Sequence, residues 1–204
     1  MGAQAAQIAE GTRLIAIGAS TGGVEALVQL LSGFPCDCPP TVVVQHMPAF
    51  FTANFAGRLD SVCRPRVAEA WDGAPLERGT IWLAPGGETH LEVVWSAQRV
   101  CRLIAAPPVN RHRPSVDVLF RSVASGLGSR ATGALLTGMG RDGAEGLLEM
   151  RRAGARTIAQ DRDTSTIYGM PRAALELGAV DFGTPLNRIA EAIFPAQAPQ
   201  KEAV

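Results

Sequence analysis

Lysine is almost missing from this chain of 204 residues. Of nineteen basic side chains only Lys201 is a lysine, and it stands among the last four residues, which excludes a Schiff-base or P-loop lysine inside the domain. Net charge is missing as well: nineteen acidic groups balance the nineteen basic ones, so the global basic field of a nucleic-acid binder is absent and any charged partner must be met locally. The four cysteines, Cys36, Cys38, Cys63 and Cys101, form no C-x-x-C pair and have no histidine at a zinc spacing, so they read as reduced thiols and no metal is expected. No apolar run approaches the ~20 residues of a spanning helix. The first residues have neither the cationic nor the apolar region of a signal peptide, and the expectation is a cytoplasmic protein with no stable membrane insertion.

What is present is ample apolar content, 47%, punctuated by 22 glycines and 14 prolines at the ends of apolar runs. Leu14 to Ala19 reads as a strand, and Val24, Leu27, Val28 and Leu31 as a helical face behind it. Thr41 to Gln45 with Phe51, Phe55, Leu59 and Val62 repeats the unit. Between residues 66 and 105 four short strands without helical period suggest an antiparallel excursion at a sheet edge. A helix opening at Pro114 and Ser115, a buried strand from Ala134 to Thr137, a helix from Gly143 to Arg152, a strand from Arg156 to Gln160 and helices near Arg172 to Leu177 and Leu186 to Phe194 complete the alternation. The pattern predicts a doubly wound, Rossmann-like α/β domain over 13–194 with a mostly parallel sheet and an antiparallel edge hairpin. Residues 1–12 read as an N-terminal extension and 195–204 as a flexible tail.

Gly18-Ala19-Ser20-Thr21-Gly22-Gly23 joins the first strand to the first helix, where an open α/β sheet keeps its ligand crevice. A dinucleotide loop would need a glycine at Ser20 and an acid after the second strand, where Gln45-His46 stands instead. A tight turn with Ser20 capping the helix and a nucleophile elbow that lifts the Ser20 hydroxyl to the top of the sheet both remain. The elbow requires a histidine base and an acid that orients it. Of His46, His90 and His112, His46 ends the second strand and so shares the rim with Ser20. Asp142, which follows the Ala134 to Thr137 strand through a glycine-rich turn, reaches the same rim. It could equally cap the helix beginning at Gly143, and Asp117, Asp161 and Asp163 are rival acids. The order Ser, His, Asp differs from that of the α/β-hydrolases, although triad chemistry recurs in several orders.

Six stretches in collinear order, Gly18 to Gly23, Gln45-His46-Met47-Pro48, Leu83 to Gly87, Asn110 to Asp117, Leu136 to Gly143 and Tyr168 to Pro171, resemble the catalytic domain of the chemotaxis protein-glutamate methylesterases, the CheB family. The resemblance spans about 13–194. It implies a modified doubly wound α/β domain that hydrolyses glutamate methyl esters on the cytoplasmic helices of chemoreceptors, often deamidating selected glutamines too, without a cofactor. It maps the catalytic serine, histidine and aspartate onto Ser20, His46 and Asp142, with Thr21 and Met139 lining the site and the Met139 N–H as an oxyanion donor. Arg111 and Arg113 are read as docking charges for the acidic receptor surface. Family members usually carry an N-terminal receiver domain, whereas only about a dozen residues precede the first strand here, so a stand-alone esterase or a piece of a longer protein is expected. The alternative is a non-catalytic signalling module that retains the fold.

Overall fold

A computed structural model describes residues 13–194; the expected extension and tail lie outside the described residues. Strand β1 (Leu14–Ala19) is buried at all six positions. Its side chains alternate between two cores: Leu14 and Ala16 enter one, Ile15 and Ile17 the other. A strand covered on both faces therefore reads as one apolar run rather than as an alternation. Helix α1 (Gly23–Leu31) and strand β2 (Thr41–Gln45) follow, then α2 (Ala49–Val62), β3 (Arg66–Glu69), β4 (Thr80–Leu83), the hairpin β5 (His90–Trp95) and β6 (Arg99–Ile104), and α3 (Val116–Leu127). The chain continues through β7 (Ala131–Leu135), α4 (Ala144–Arg152), β8 (Arg156–Gln160), α5 (Met170–Glu176), β9 (Gly183–Thr184) and α6 (Leu186–Ile193).

Seven of the strands form one sheet in the order β3-β4-β2-β1-β7-β8-β9, with every neighbouring pair parallel. Residues of α3, α4 and α5 pack on one face, and residues of α1, α2 and α6 on the other. The chain winds outward from β1 through β2 and then restarts on the opposite side with β7. The crevice of this doubly wound sheet accordingly opens at the C-terminal ends of β1, β2 and β7.

The stretch 66–105 divides in two. Its second half is the expected antiparallel hairpin, but β5 and β6 form a sheet of their own, with Leu91, Val93 and Cys101 in the same core as the α3 side chains and Ser122 Oγ accepting from the Val93 N–H at 2.9 Å. Its first half joins the main sheet in parallel, against the expectation of an antiparallel excursion. The helical period is missing there because a loop carries the crossover from β3 to β4, burying Ala70, Ala74 and Leu76 and fixing Trp82 Nε1–H on the Pro75 carbonyl at 2.8 Å.

Two further expectations shift. Strand β7 begins at Ala131 rather than Ala134, since its small residues Ala131 to Gly133 carry little apolar signal yet are buried. On α2 the buried face is Thr52, Phe55, Ala56 and Leu59, so that Phe51 and Val62, assigned to the core by spacing, are exposed. Among the described residues no helix is long and apolar enough to cross a membrane.

Candidate active site

Parallel pairing puts Ala19 opposite Gln45, so the next residue of each strand, Ser20 and His46, emerges side by side at the rim. The His46 N–H donates to the Ala19 carbonyl at 3.0 Å and the Ser20 N–H to the Thr137 carbonyl at 3.0 Å, which extends the ladder past the strand ends. Gln45 pins the pair from beneath, its Nε2 donating to the carbonyls of Ser20 and His46 at 2.9 and 3.0 Å. Ser20 does not cap α1. The N-cap is Gly22, at φ 81°, and no side chain caps that helix. Glycine is favoured at this left-handed position, and the helix start takes no hydrogen bond from the Ser20 side chain.

Asp142 is 1% exposed, and its carboxylate accepts five hydrogen bonds. His46 Nε2 (2.8 Å) and the Val116 N–H (2.7 Å) meet Oδ2, while Asn110 Nδ2 (2.9 Å), Ser115 Oγ (2.7 Å) and the Asp117 N–H (3.3 Å) meet Oδ1. Burial pushes this carboxyl's pKa up, but the donors from His46, Asn110, Ser115 and Val116 outweigh it and hold the pKa at about 2. Asp142 does have a capping role, though not on α4, whose N-cap Gly143 carries no side-chain cap. Its carboxylate serves the N-terminus of α3, and in exchange Asp117, in the first turn of α3, accepts from the Gly146 N–H of α4 at 2.7 Å. Each acid thus lies at the positive end of the neighbouring helix.

An ionised Asp142 can only accept, so His46 Nε2 carries a proton, and in the neutral ring Nδ1 keeps a lone pair. Nδ1 is buried and has no hydrogen-bond partner, Ser20 included. A nitrogen acceptor sheltered from water, on the same rim as a serine, can activate the hydroxyl once the two groups hydrogen-bond.

Of the rival acids, Asp117 bonds Asn110 and Gly146 rather than His46, Asp161 caps its own loop through Thr164, and Asp163 is exposed. His90 is structural: its Nδ1 accepts the Ser115 N–H and its Nε2 donates to the Pro107 carbonyl, both at 3.0 Å. Thr21 is exposed, Met139 is 66% exposed, and among the described residues neither of their N–H groups donates to a backbone carbonyl. Arg111 is exposed. Arg113 donates from its guanidinium to the carbonyls of Gly87 (2.9 Å) and Ala106 (3.1 Å). No cluster of three or more His, Cys, Asp or Glu side chains that could hold a metal occurs among the described residues.

A sequence model of the CheB methylesterase family matches residues 15–193. The chain belongs to that family. It is 59% identical over 94% of its length to the protein-glutamate methylesterase/protein-glutamine glutaminase 1 of Rhizobium johnstonii, of which it covers 55%. The like-named protein of Caulobacter vibrioides is 59% identical over 89% of this chain and 53% of its own. The chain therefore spans about half the length of the curated relatives it matches. Its fold superimposes on the crystal structure of the Thermotoga maritima CheB methylesterase catalytic domain with a TM-score of 0.86 at 35% identity, over 89% of this chain and 97% of that one.

In this CheB-family chain, sequence reasoning weighed His112 as a base, Asp117 as a rival acid and Ser115 as a helix start, and missed that Asn110 and Ser115 bond Asp142 and that His112 stacks on His46. All four lie in one of the quoted motifs, but its arginines drew the attention because charge is legible in a sequence while a buried hydrogen-bond network is not.

Proposed function

We propose that the chain is a serine hydrolase acting on protein glutamate methyl esters. His46 Nδ1 takes the proton of the Ser20 hydroxyl, Ser20 Oγ attacks the ester carbonyl, methanol leaves with that proton, and water resolves the glutamyl-serine ester by the same route. Asp142 keeps the imidazole in the Nε2–H form and stabilises the imidazolium that forms. The N–H groups of Thr21 and Met139 are the candidate oxyanion donors. The observation carrying the reading is the buried His46 Nε2 to Asp142 hydrogen bond of 2.8 Å, made by a histidine in register with Ser20. The same acyl chemistry with ammonia as leaving group would deamidate glutamine, in keeping with the double names of the Rhizobium and Caulobacter proteins.

The substrate in this reading is the methylated cytoplasmic helix region of chemoreceptors, met in the cytoplasm, with Arg111 as a docking charge. Ser20→Ala tests the mechanism by methanol release from methylated receptor: a loss on the order of 10⁴ to 10⁶ is expected, with no further loss on adding His46→Ala. Activity of Ser20→Ala within tenfold of the parent would sink the serine mechanism, and an inactive parent would favour the non-catalytic module.

A further inference from the structure

We infer that His112 is a positioning residue for His46, an assignment that rests on the esterase reading above. The two imidazole rings lie face to face, 3.7 Å between centroids and 8° from parallel. A hydrogen bond from Nε2 to Asp142 anchors one corner of His46 but leaves the ring free to swing about that bond. A flat partner against its face removes the swing, and with it the uncertainty in where Nδ1 points.

The element carrying His112 is held from several sides. Val109 and His112 exchange both backbone hydrogen bonds, at 3.1 and 2.9 Å, across a two-residue turn. Asn110 (φ 52°) and Arg111 (φ 68°) occupy its left-handed positions, where glycine would sit more easily. Asn110 Nδ2 ties the turn to Asp142 and, at 2.7 Å, to Asp117, while Arg113 fixes its exit on Gly87 and Ala106. One turn thus supplies a ligand to the orienting acid and a plate for the base. An unfavourable backbone retained at such a place is the usual mark of a functional constraint.

The plate must also tolerate charge, because His46 becomes cationic on accepting the serine proton. Burial and the neighbouring His46 lower the His112 pKa, Arg111 adds to this and Asp142 opposes it, so His112 stays neutral at neutral pH and offers its π face to the imidazolium. A protonated His112 would repel it.

The test compares His112→Ala, His112→Phe and Ser20→Ala in methanol release from methylated receptor, with ¹⁵N NMR of the His46 ring. His112→Ala is expected to lower kcat about 10²-fold with KM nearly constant, as a misplaced catalytic group does. His112→Phe should restore most of kcat and, lacking a titrating group, make the acid limb of the pH profile shallower. In His112→Ala the His46 ring signals should broaden as the ring swings, while the bond to Asp142 keeps the Nε2–H tautomer. An unchanged kcat and pH profile in His112→Ala, or an unchanged His46 linewidth, overturns the assignment. Retention of methanol release by Ser20→Ala would instead condemn the serine mechanism, and the NMR result would still decide whether His112 orders His46.

Discussion

Replacing Asp142 by asparagine removes one charge and converts one of two acceptor oxygens into a donor inside a pocket that presents five donors. If the amide nitrogen takes the place of Oδ2, it confronts the Val116 N–H and His46 Nε2. The histidine can then bond only by accepting at Nε2, which moves its proton to Nδ1 and disables it as a base. If the nitrogen takes the place of Oδ1, it confronts Asn110 Nδ2 and the Asp117 N–H, and only the Ser115 hydroxyl can turn to accept. The first placement costs turnover about 10⁴, the usual effect of the wrong tautomer. Both placements leave buried donors unmet, at about 1–3 kcal/mol. The native carboxyl, held at about 2 against an ordinary 3.8, adds roughly 2 kcal/mol of charge-linked stability that the variant lacks. Because the folded pKa is depressed, that contribution is fully present above pH ~4 and is lost as pH falls toward 2. Asp117, whose pKa burial raises, works in the opposite sense and stays in the variant. Urea unfolding at several pH values and initial rates of methanol release are the assays. The variant should lose several kcal/mol near neutrality, show a flatter stability profile between pH 4 and 2, and turn over about 10⁴ more slowly. Turnover within tenfold of the parent, together with the stability loss, would reduce Asp142 to a cap on α3 and refute the triad role.

Two other substitutions probe the rim. A methyl group added at Gly138 would lie 2.7 Å from Ser20 Cβ and press on the Met170 side chain. Gly138→Ala should therefore displace Ser20, lowering kcat by up to about 10² and stability by about 1–3 kcal/mol; normal kcat at reduced stability would show that Ser20 is not held from that side. Arg111→Ala should lower kcat/KM on receptor several-fold and weaken the salt dependence seen with the parent, leaving turnover of a small uncharged ester unchanged, since exposed charges act mainly on association. Parallel losses on both substrates would place Arg111 in the catalytic scaffold.

The chain's local patterns determined much by themselves. The apolar run Leu14 to Ala19, the β-branched Thr41 to Gln45 and the helical face Leu119, Phe120, Val123 and Leu127 carry their periods in the residues, so an α/β alternation and the strand-end placement of Ser20 and His46 were legible. Burial on both faces made the central strands conspicuous. The crossover from β3 to β4 was not legible, because a loop that packs Ala70, Ala74 and Leu76 has no period to betray the parallel pairing it permits. Nor did spacing distinguish Phe51, exposed, from Phe55, buried, on one helix, since which face is covered depends on what the sheet beneath presents. Asp142 shows the division most plainly. Its position before a helix suggested a cap for that helix, but the fold turns its carboxylate onto the N-terminus of α3 and the ring of His46. The second helix arrives from 26 positions earlier in the chain, and the histidine from 96. Sequence separation of that size hides a hydrogen bond from any local pattern, and only the packing of α3 against α4 over the end of the sheet brings the partners within 3 Å.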